Sequence, residues 1–263
     1  MEKIIEQESI TKTWNNVWAS QKLTAGQDLF ADPLFIEGYS VVKKLIFSNP
    51  QRILEGGGGS GRYGMQFSRD FPAKVISVDI TDNAVNWMRK TKEEMCFTNV
   101  EIQRGDIFNL NFPDNYFDIV FSEGVIEHFS NYGEAIREMA RVLRPDGLLI
   151  TLVPGFWNPH TLYKEYLKIC GKKYKYGYEK SFTKKELRKL YLGNNLNIVA
   201  EDGFYPAYGI LRLKRIHKSF KLLGRICNRS TRFLDLFTNR FFSRNFGFEI
   251  VIVGKKNQKN DVD

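Results

Sequence analysis

Between Pro50 and Val153, short runs of β-branched and aromatic residues alternate with longer stretches whose apolar positions recur every three or four residues. That alternation predicts a parallel sheet assembled from β-α-β units. Arg52–Glu55 is a first strand running into Gly56-Gly57-Gly58-Gly59, with a helix starting near Ser60. Lys74–Asp79 is a second strand, followed by Thr81-Asp82-Asn83, good helix-capping chemistry, and a helix to about Met95. Asn99–Gln103 makes a third strand and Phe117–Phe121 a fourth, after the turn residues Pro113-Asp114-Asn115. From Tyr132 onward Ala135, Ile136, Met139, Ala140 and Leu143 share a helical face. Arg144-Pro145-Asp146-Gly147 ends that helix in a turn before a fifth strand, Leu148–Val153.

Past Pro154 the pattern loosens into an aromatic, Lys-rich segment, Tyr163–Tyr178. Thr183 caps a further helix, and Asn197–Val199 and Phe248–Val253 are two final strands. Between them Ile210–Phe237 is a long basic insertion in which Leu213, Ile216, Phe220, Leu223, Cys227, Leu234 and Phe237 form an apolar stripe. The expected organisation is a set of N-terminal cap helices over 1–50 and one α/β domain over 51–263, with insertions at about 155–180 and 205–245.

Composition adds limits. With 43% hydrophobic and 26% charged residues the chain is of ordinary globular type, and no apolar run approaches the roughly 18 residues that a spanning helix needs. The acidic start Met1–Glu8 lacks the pattern of a secretory signal, so a cytoplasmic protein is expected. Cys96, Cys170 and Cys227 show no metal-ligand spacing, which predicts reduced, mostly buried thiols rather than disulfides or zinc. Charge is unevenly placed: residues 151–263 hold 23 Lys and Arg against 9 Asp and Glu, a balance of +14, while 1–150 stand at −5. A basic second half suits an anionic partner such as a membrane surface, a phosphorylated substrate or nucleic acid, against the plainer alternative of a solvated surface.

The glycine-rich turn fits two kinds of cofactor. Gly56, Gly58 and Gly61, like Gly59, Gly61 and Gly64, have the G-x-G-x-x-G spacing of dinucleotide binders. The register Glu55-x-Gly57-x-Gly59-x-Gly61 is also present and puts a carboxylate at the end of the strand. That carboxylate repels a pyrophosphate and attracts a cation, which suits the sulfonium and amino group of S-adenosylmethionine. Asp79, 24 positions on, can accept from ribose hydroxyls in either cofactor. Asp106 can accept from an adenine amine while Ile80 and Ile107 cover the ring faces. Either aspartate can instead serve only as a turn or helix cap.

These blocks resemble the class I S-adenosylmethionine-dependent methyltransferases, within the small-molecule group that includes the ubiquinone and menaquinone methyltransferases. The resemblance runs from about Arg52 to Pro154 through Ile53–Gly61, Val78-Asp79-Ile80, Gly105-Asp106-Ile107, Phe117–Val120, Val125–Phe129 and Val142–Gly147. It implies a Rossmann-like, mostly parallel seven-stranded sheet of order 3-2-1-4-5-7-6 with the last strand antiparallel, here with a basic helical insertion. It also implies cofactor contacts from Glu55, Gly57, Gly59, Gly61, Asp79, Ile80, Asp106, Ile107 and the Ser122-Glu123 segment. His128 is then the first candidate base, with Glu127 or Glu123 the alternatives. Gly124 stands where some relatives carry the first ligand of a Glu-x-x-Glu-His metal cluster, so no metal is expected. The segment after the fourth strand lacks the Asn/Asp-Pro-Pro-aromatic signature that relatives use on nucleobase amines, which disfavours nucleic acid.

Trp14 and Trp18, on one face if helical, can close over the cofactor or simply pack. Tyr163, Tyr166, Tyr174, Tyr176 and Tyr178 fall where the family places acceptor-binding insertions. The leading expectation is O-methylation of a small or lipid-linked acceptor. A nucleic-acid-directed enzyme and a non-catalytic nucleotide-cofactor-binding protein are the alternatives. Residues 210–237 are a candidate contact with the anionic inner face of a membrane, or with a second subunit in a homodimer.

Overall fold

The computed structural model describes residues 2–20, 27–47 and 49–258. Helices α1 (Glu2–Ser20), α2 (Gln27–Phe30) and α3 (Pro33–Lys44) precede the sheet. Strands and helices then alternate as β1 (Arg52–Gly56), α4 (Arg62–Asp70), β2 (Lys74–Asp79), α5 (Asp82–Glu94), β3 (Val100–Arg104), β4 (Phe117–Glu123), α6 (Tyr132–Val142) and β5 (Leu143–Pro154). Next come α7 (Pro159–Ile169), α8 (Lys184–Leu192), β6 (Leu196–Phe204), α9 (Tyr208–Arg212), α10 (Ser219–Phe237), α11 (Phe241–Phe246) and β7 (Glu249–Lys256).

The sheet order is β3-β2-β1-β4-β5-β7-β6, with β7 antiparallel to both neighbours and the other pairings parallel. Both faces of the central strands are buried, which is why they are near-continuous apolar runs. Ile53, Ile119 and Phe121 pack with Phe35, Tyr63 and Phe67 on one face. Leu54 and Val120 pack with Ala135, Ile136 and Met139 on the other. The chain moves outward from β1 in one direction through β2 and in the other through β4, so the carboxyl ends of these strands border the crevice where such sheets bind ligands.

Several local expectations need correction. β5 begins at Leu143, taking in Arg144–Gly147, because the strand bulges there and Asp146 adopts φ +62°. The aromatic segment after β5 is not irregular throughout: Asn158 caps α7, accepting from the His160 N–H, and Pro159 opens it. The cysteines are not mostly buried. Cys96 and Cys170 are exposed just past the ends of α5 and α7, and Cys227 is half-buried. Thr81 holds the cap position of α5, but its hydroxyl donates to Asp79 instead of receiving a helix N–H. Thr183 makes the full reciprocal cap with Glu186. Among the described residues no helix is long and apolar enough to cross a membrane.

The helices between β5 and β7 are fastened by polar contacts. The buried Asn158 amide donates to the Pro206 carbonyl at 2.9 Å and the Phe246 carbonyl at 2.8 Å, joining the start of α7 to the approach to α9 and the end of α11. Gly224 lets α10 lie directly on Leu211 of α9. The periodic stripe expected on this segment is set differently, since Phe220 and Cys227 are half-buried while Leu223, Leu234 and Phe237 are exposed. Removing the Asn158 side chain strands two carbonyls. Asn158→Ala is expected to lower the unfolding free energy by about 2–3 kcal/mol, measured by urea denaturation.

Candidate active site

The turn after β1 is tied to β2. The Val78 carbonyl accepts from Gly57 N–H at 2.9 Å and Gly58 N–H at 2.8 Å, and the Asp79 carboxylate accepts from Gly59 N–H at 2.9 Å. Gly57, Gly59 and Gly61 all have positive φ, and a Cβ on Gly57 would run into Val125. Glu55 lies beneath the turn, accepting from the Ser77 hydroxyl at 2.6 Å. Burial pushes this carboxyl up to about 7, although the Ser77 bond opposes the shift. Asp79 also accepts from Thr81 N–H and Oγ1 at 2.9 and 2.8 Å. The turn role weighed for Asp79 is therefore real.

A cavity of about 530 Å³ opens beside this turn. Glu55, Gly57, Gly59, Asp79, Ile80, Asp106, Ile107, Glu123, Glu127 and His128 all reach its wall, whereas Gly61 and Ser122 do not. Gly61 instead starts α4, and Ser122 is buried within β4. The N-terminal helix closes one side. Trp18 lies on Gly59, and Trp14 stacks on Tyr176 at 5.6 Å and meets the His128 ring edge-on at 5.0 Å. Gln7 donates to Asp106 at 2.5 Å. Of the tyrosines singled out after β5, Tyr174 and Tyr176 line the cavity, Tyr163 is buried away from it, and Tyr166 and Tyr178 are exposed.

His128 is 3% exposed, and its Nδ1 lies 2.7 Å from the Tyr178 carbonyl. A carbonyl only accepts, so Nδ1 carries the proton and Nε2 keeps its lone pair. Burial pushes the imidazole below its ordinary value, favouring the neutral form. Nearby Glu127, 2% exposed, has Oε1 3.9 Å from His128 Nε2, and its Oε2 has no hydrogen-bond partner. Burial and the Glu179 charge hold Glu127 well above the usual carboxylate range.

Five residues of this wall carry weight that the sequence does not reveal. Arg62 pairs with Asp32 at 2.9 Å and Glu123 at 3.2 Å. Glu179, on which burial acts upward, is held below its ordinary value by the Lys164 ammonium at 2.9 Å. Glu249, at the start of β7, is pushed well up by burial and then by Glu123 and Glu127, and its Oε2 is unpartnered. Arg212 stacks over Tyr208 and Phe248 with its carbon 5.0 and 5.7 Å from the ring centres. Only Asp32, before Pro33, bears a local signal, as a helix cap. Among the described residues no group of three or more His, Cys, Asp or Glu is arranged to hold a metal ion.

Residues 54–151 match the methyltransferase domain family. The uncharacterized methyltransferase YcgJ of Bacillus subtilis is 38% identical over 96 residues, 36% of this chain and 38% of that protein. The ubiquinone/menaquinone biosynthesis C-methyltransferase UbiE of Vibrio cholerae is 37% identical over 105 residues, 39% of this chain and 40% of that one. The matched stretch thus spans about two fifths of these relatives' length. The crystal structure of YcgJ covers 84% of this chain and 98% of its own, with a TM-score of 0.56 and 21% identity. Geranyl diphosphate C-methyltransferase from Streptomyces coelicolor covers 95% of this chain and 98% of its own, with a TM-score of 0.65 and 12% identity. At such identities the structural likeness establishes the fold.

The buried carboxyl under the turn has a measurable signature. Between pH 4.5 and about 7 the folded chain keeps on Glu55 a proton that the unfolded chain releases. Stability from this group is therefore full below pH 4.5 and falls as pH rises through about 7. Glu55→Gln is expected to flatten that part of the stability profile, followed by urea denaturation across the range.

Proposed function

We propose that this chain, a member of the class I S-adenosylmethionine-dependent methyltransferases, transfers the cofactor's sulfonium methyl to a hydroxyl of a small or lipid-linked acceptor. The observation that carries the proposal is His128, whose Nδ1 is held by the Tyr178 carbonyl so that Nε2 keeps its lone pair, in the same cavity as the glycine turn, Asp79 and Asp106.

The wall suits this cofactor better than a dinucleotide. Arg62, which opens the helix after the turn, is already paired with Asp32 and Glu123, so it is not free to answer a pyrophosphate there. Asp79 would receive a ribose hydroxyl from the cofactor. Asp106 would receive the adenine amine, with Ile80 and Ile107 bordering the ring. Gly57 and Gly59 keep the wall low, and Glu55 supports the turn from below.

When bound, S-adenosylmethionine supplies a methyl on positively charged sulfur that an in-line nucleophile displaces. His128 would take the acceptor hydroxyl proton on Nε2 as that oxygen attacks the methyl. The Tyr178 carbonyl fixes the tautomer that makes Nε2 the proton acceptor. Glu127 is the alternative base, but burial holds it toward its protonated form, and it would have to ionise before it could take that proton. Glu123 is tied up by Arg62 and shapes the wall. Trp14 and Trp18 exclude water from the side that α1 covers.

Calorimetric titration with S-adenosylmethionine and NAD tests the cofactor. Asp79→Ala, checked for folding by circular dichroism, is expected to weaken adenosylmethionine binding by about 1.5–3 kcal/mol, and unchanged affinity sinks the role of this carboxylate. The acceptor is found by incubating the protein with cell extract and deuteromethyl adenosylmethionine, then reading labelled products by mass spectrometry. With that acceptor, His128→Ala is expected to slow turnover about 100-fold or more at unchanged cofactor affinity. A product labelled on carbon or nitrogen overturns the oxygen assignment and leaves methyl transfer standing.

A further inference from the structure

We propose that α10 lays its outer face on an anionic lipid bilayer. The proposal goes beyond methyl transfer and stands without it.

An amphipathic helix normally turns its apolar side to the protein. α10 does the reverse. Its inner side is Phe220, Gly224, Cys227, Thr231 and Asp235, mostly small or polar. Gly224 meets Leu211, the Thr231 hydroxyl donates to the Cys227 carbonyl, and Asp235 accepts from the N–H groups of Phe242 and Ser243 that open α11. Leu222, Ile226, Phe233, Leu236 and Phe237 point outward, with exposures of 64%, 55%, 60%, 78% and 74%. They recur at steps of three, four and seven and form one continuous outer stripe.

Charge identifies the partner. Lys218, Lys221, Arg225 and Arg229 run along one edge of the stripe, all exposed. Between Asp202 and Asp235 the chain contains no acidic residue to offset them. A bilayer bearing anionic headgroups answers both features: the acyl region receives the leucines and phenylalanines, and the long basic side chains reach back to the phosphates. A second copy of this chain would cover the apolar stripe but bring its own uncompensated basic edge. A nucleic acid would answer the charge and leave the stripe in water. The placement also has a use. α10 rests on α9, and α9 supplies Tyr208 and Arg212 to the cavity wall. A surface held by α10 would therefore lie beside the cavity, as a lipid-borne acceptor requires.

Co-sedimentation of the full chain with phosphatidylcholine vesicles, with and without phosphatidylglycerol, tests this. The wild type is expected to pellet only with the anionic vesicles and to be released by high salt. Each basic residue near such a surface strengthens partitioning about fivefold, so Lys221→Gln with Arg225→Gln is expected to weaken it roughly 25-fold. Ile226→Ser with Phe233→Ser is expected to weaken it about tenfold or more. These positions are exposed, and circular dichroism and thermal melting confirm that both variants fold. The proposal is overturned if the wild type stays in the supernatant with anionic vesicles, or if the two variants pellet as it does. It is equally overturned if sedimentation velocity shows a wild-type dimer that the Ile226→Ser, Phe233→Ser variant splits while vesicles bind neither.

Discussion

The carboxyl end of β1 is fixed by a small set of hydrogen bonds, and the cavity is built outward from them. Val78 receives two N–H groups, from Gly57 and Gly58, Asp79 receives the next from Gly59, and the Gly58 carbonyl receives that of Gly61 at 2.7 Å. These bonds require the positive φ values of Gly57, Gly59 and Gly61. They also commit the donors. In a phosphate-binding turn the backbone N–H groups face the ligand; here these four already have acceptors within the protein. What the turn offers the cavity is close approach without side chains, beside the carboxyls of Glu55 and Asp79 and an Arg62 already paired with Asp32 and Glu123. A cofactor bearing positive charge fits those facts, and a pyrophosphate does not.

The same economy of charge governs the opposite side of the cavity. Burying an isolated carboxylate is costly, and the structure meets the cost in two ways. Glu123 and Glu179 are paired with Arg62 and Lys164, and the Lys164 ammonium keeps Glu179 below its ordinary value. Glu127 and Glu249 have one unpartnered oxygen each and are driven toward the protonated form. His128 is driven the other way, toward the neutral base, because burial penalises its cation. The two shifts divide the roles: His128 is left as the group with a lone pair able to accept a proton, while Glu127 and Glu249 already hold theirs.

Much of this is legible in the sequence. β1, β2 and β4 are short apolar runs with turn residues at their ends, a signal that does not depend on tertiary partners, and the glycines at 57, 59 and 61 stand where the backbone needs them. Asp79, Asp106 and His128 follow strand ends, so once the order of strands is known their convergence on one crevice follows. Glu179 and Glu249 were not legible. They reach the cavity from the segment after α7 and from β7, more than 30 residues beyond the last motif residue, Gly147, and nothing local distinguishes them from surface glutamates. Arg62 was hidden for another reason: its role depends on Asp32, which the chain brings back from before the sheet.

The register of α10 was misjudged on physical grounds that apply to any single helix. Periodicity shows that apolar residues share a face, but it does not say what that face meets. Reading the repeat through Phe220 and Cys227 assumed a helix continuous from Leu213, yet a tight turn over Leu213–Arg215 interrupts the path and resets the phase before Ser219. Once reset, the inner side is chosen by shape and polarity. Only a glycine at 224 allows contact with Leu211, and Asp235 must face inward to receive the N–H groups of α11. Arg232 adds a pair with Glu37 of α3. Full burial of a leucine or phenylalanine favours folding by about 1.5–3 kcal/mol, so a helix held by these contacts while several such side chains stay outside forgoes a substantial gain. That is a sequence under a requirement other than the stability of the isolated chain, and the requirement acts on the outer face of this helix.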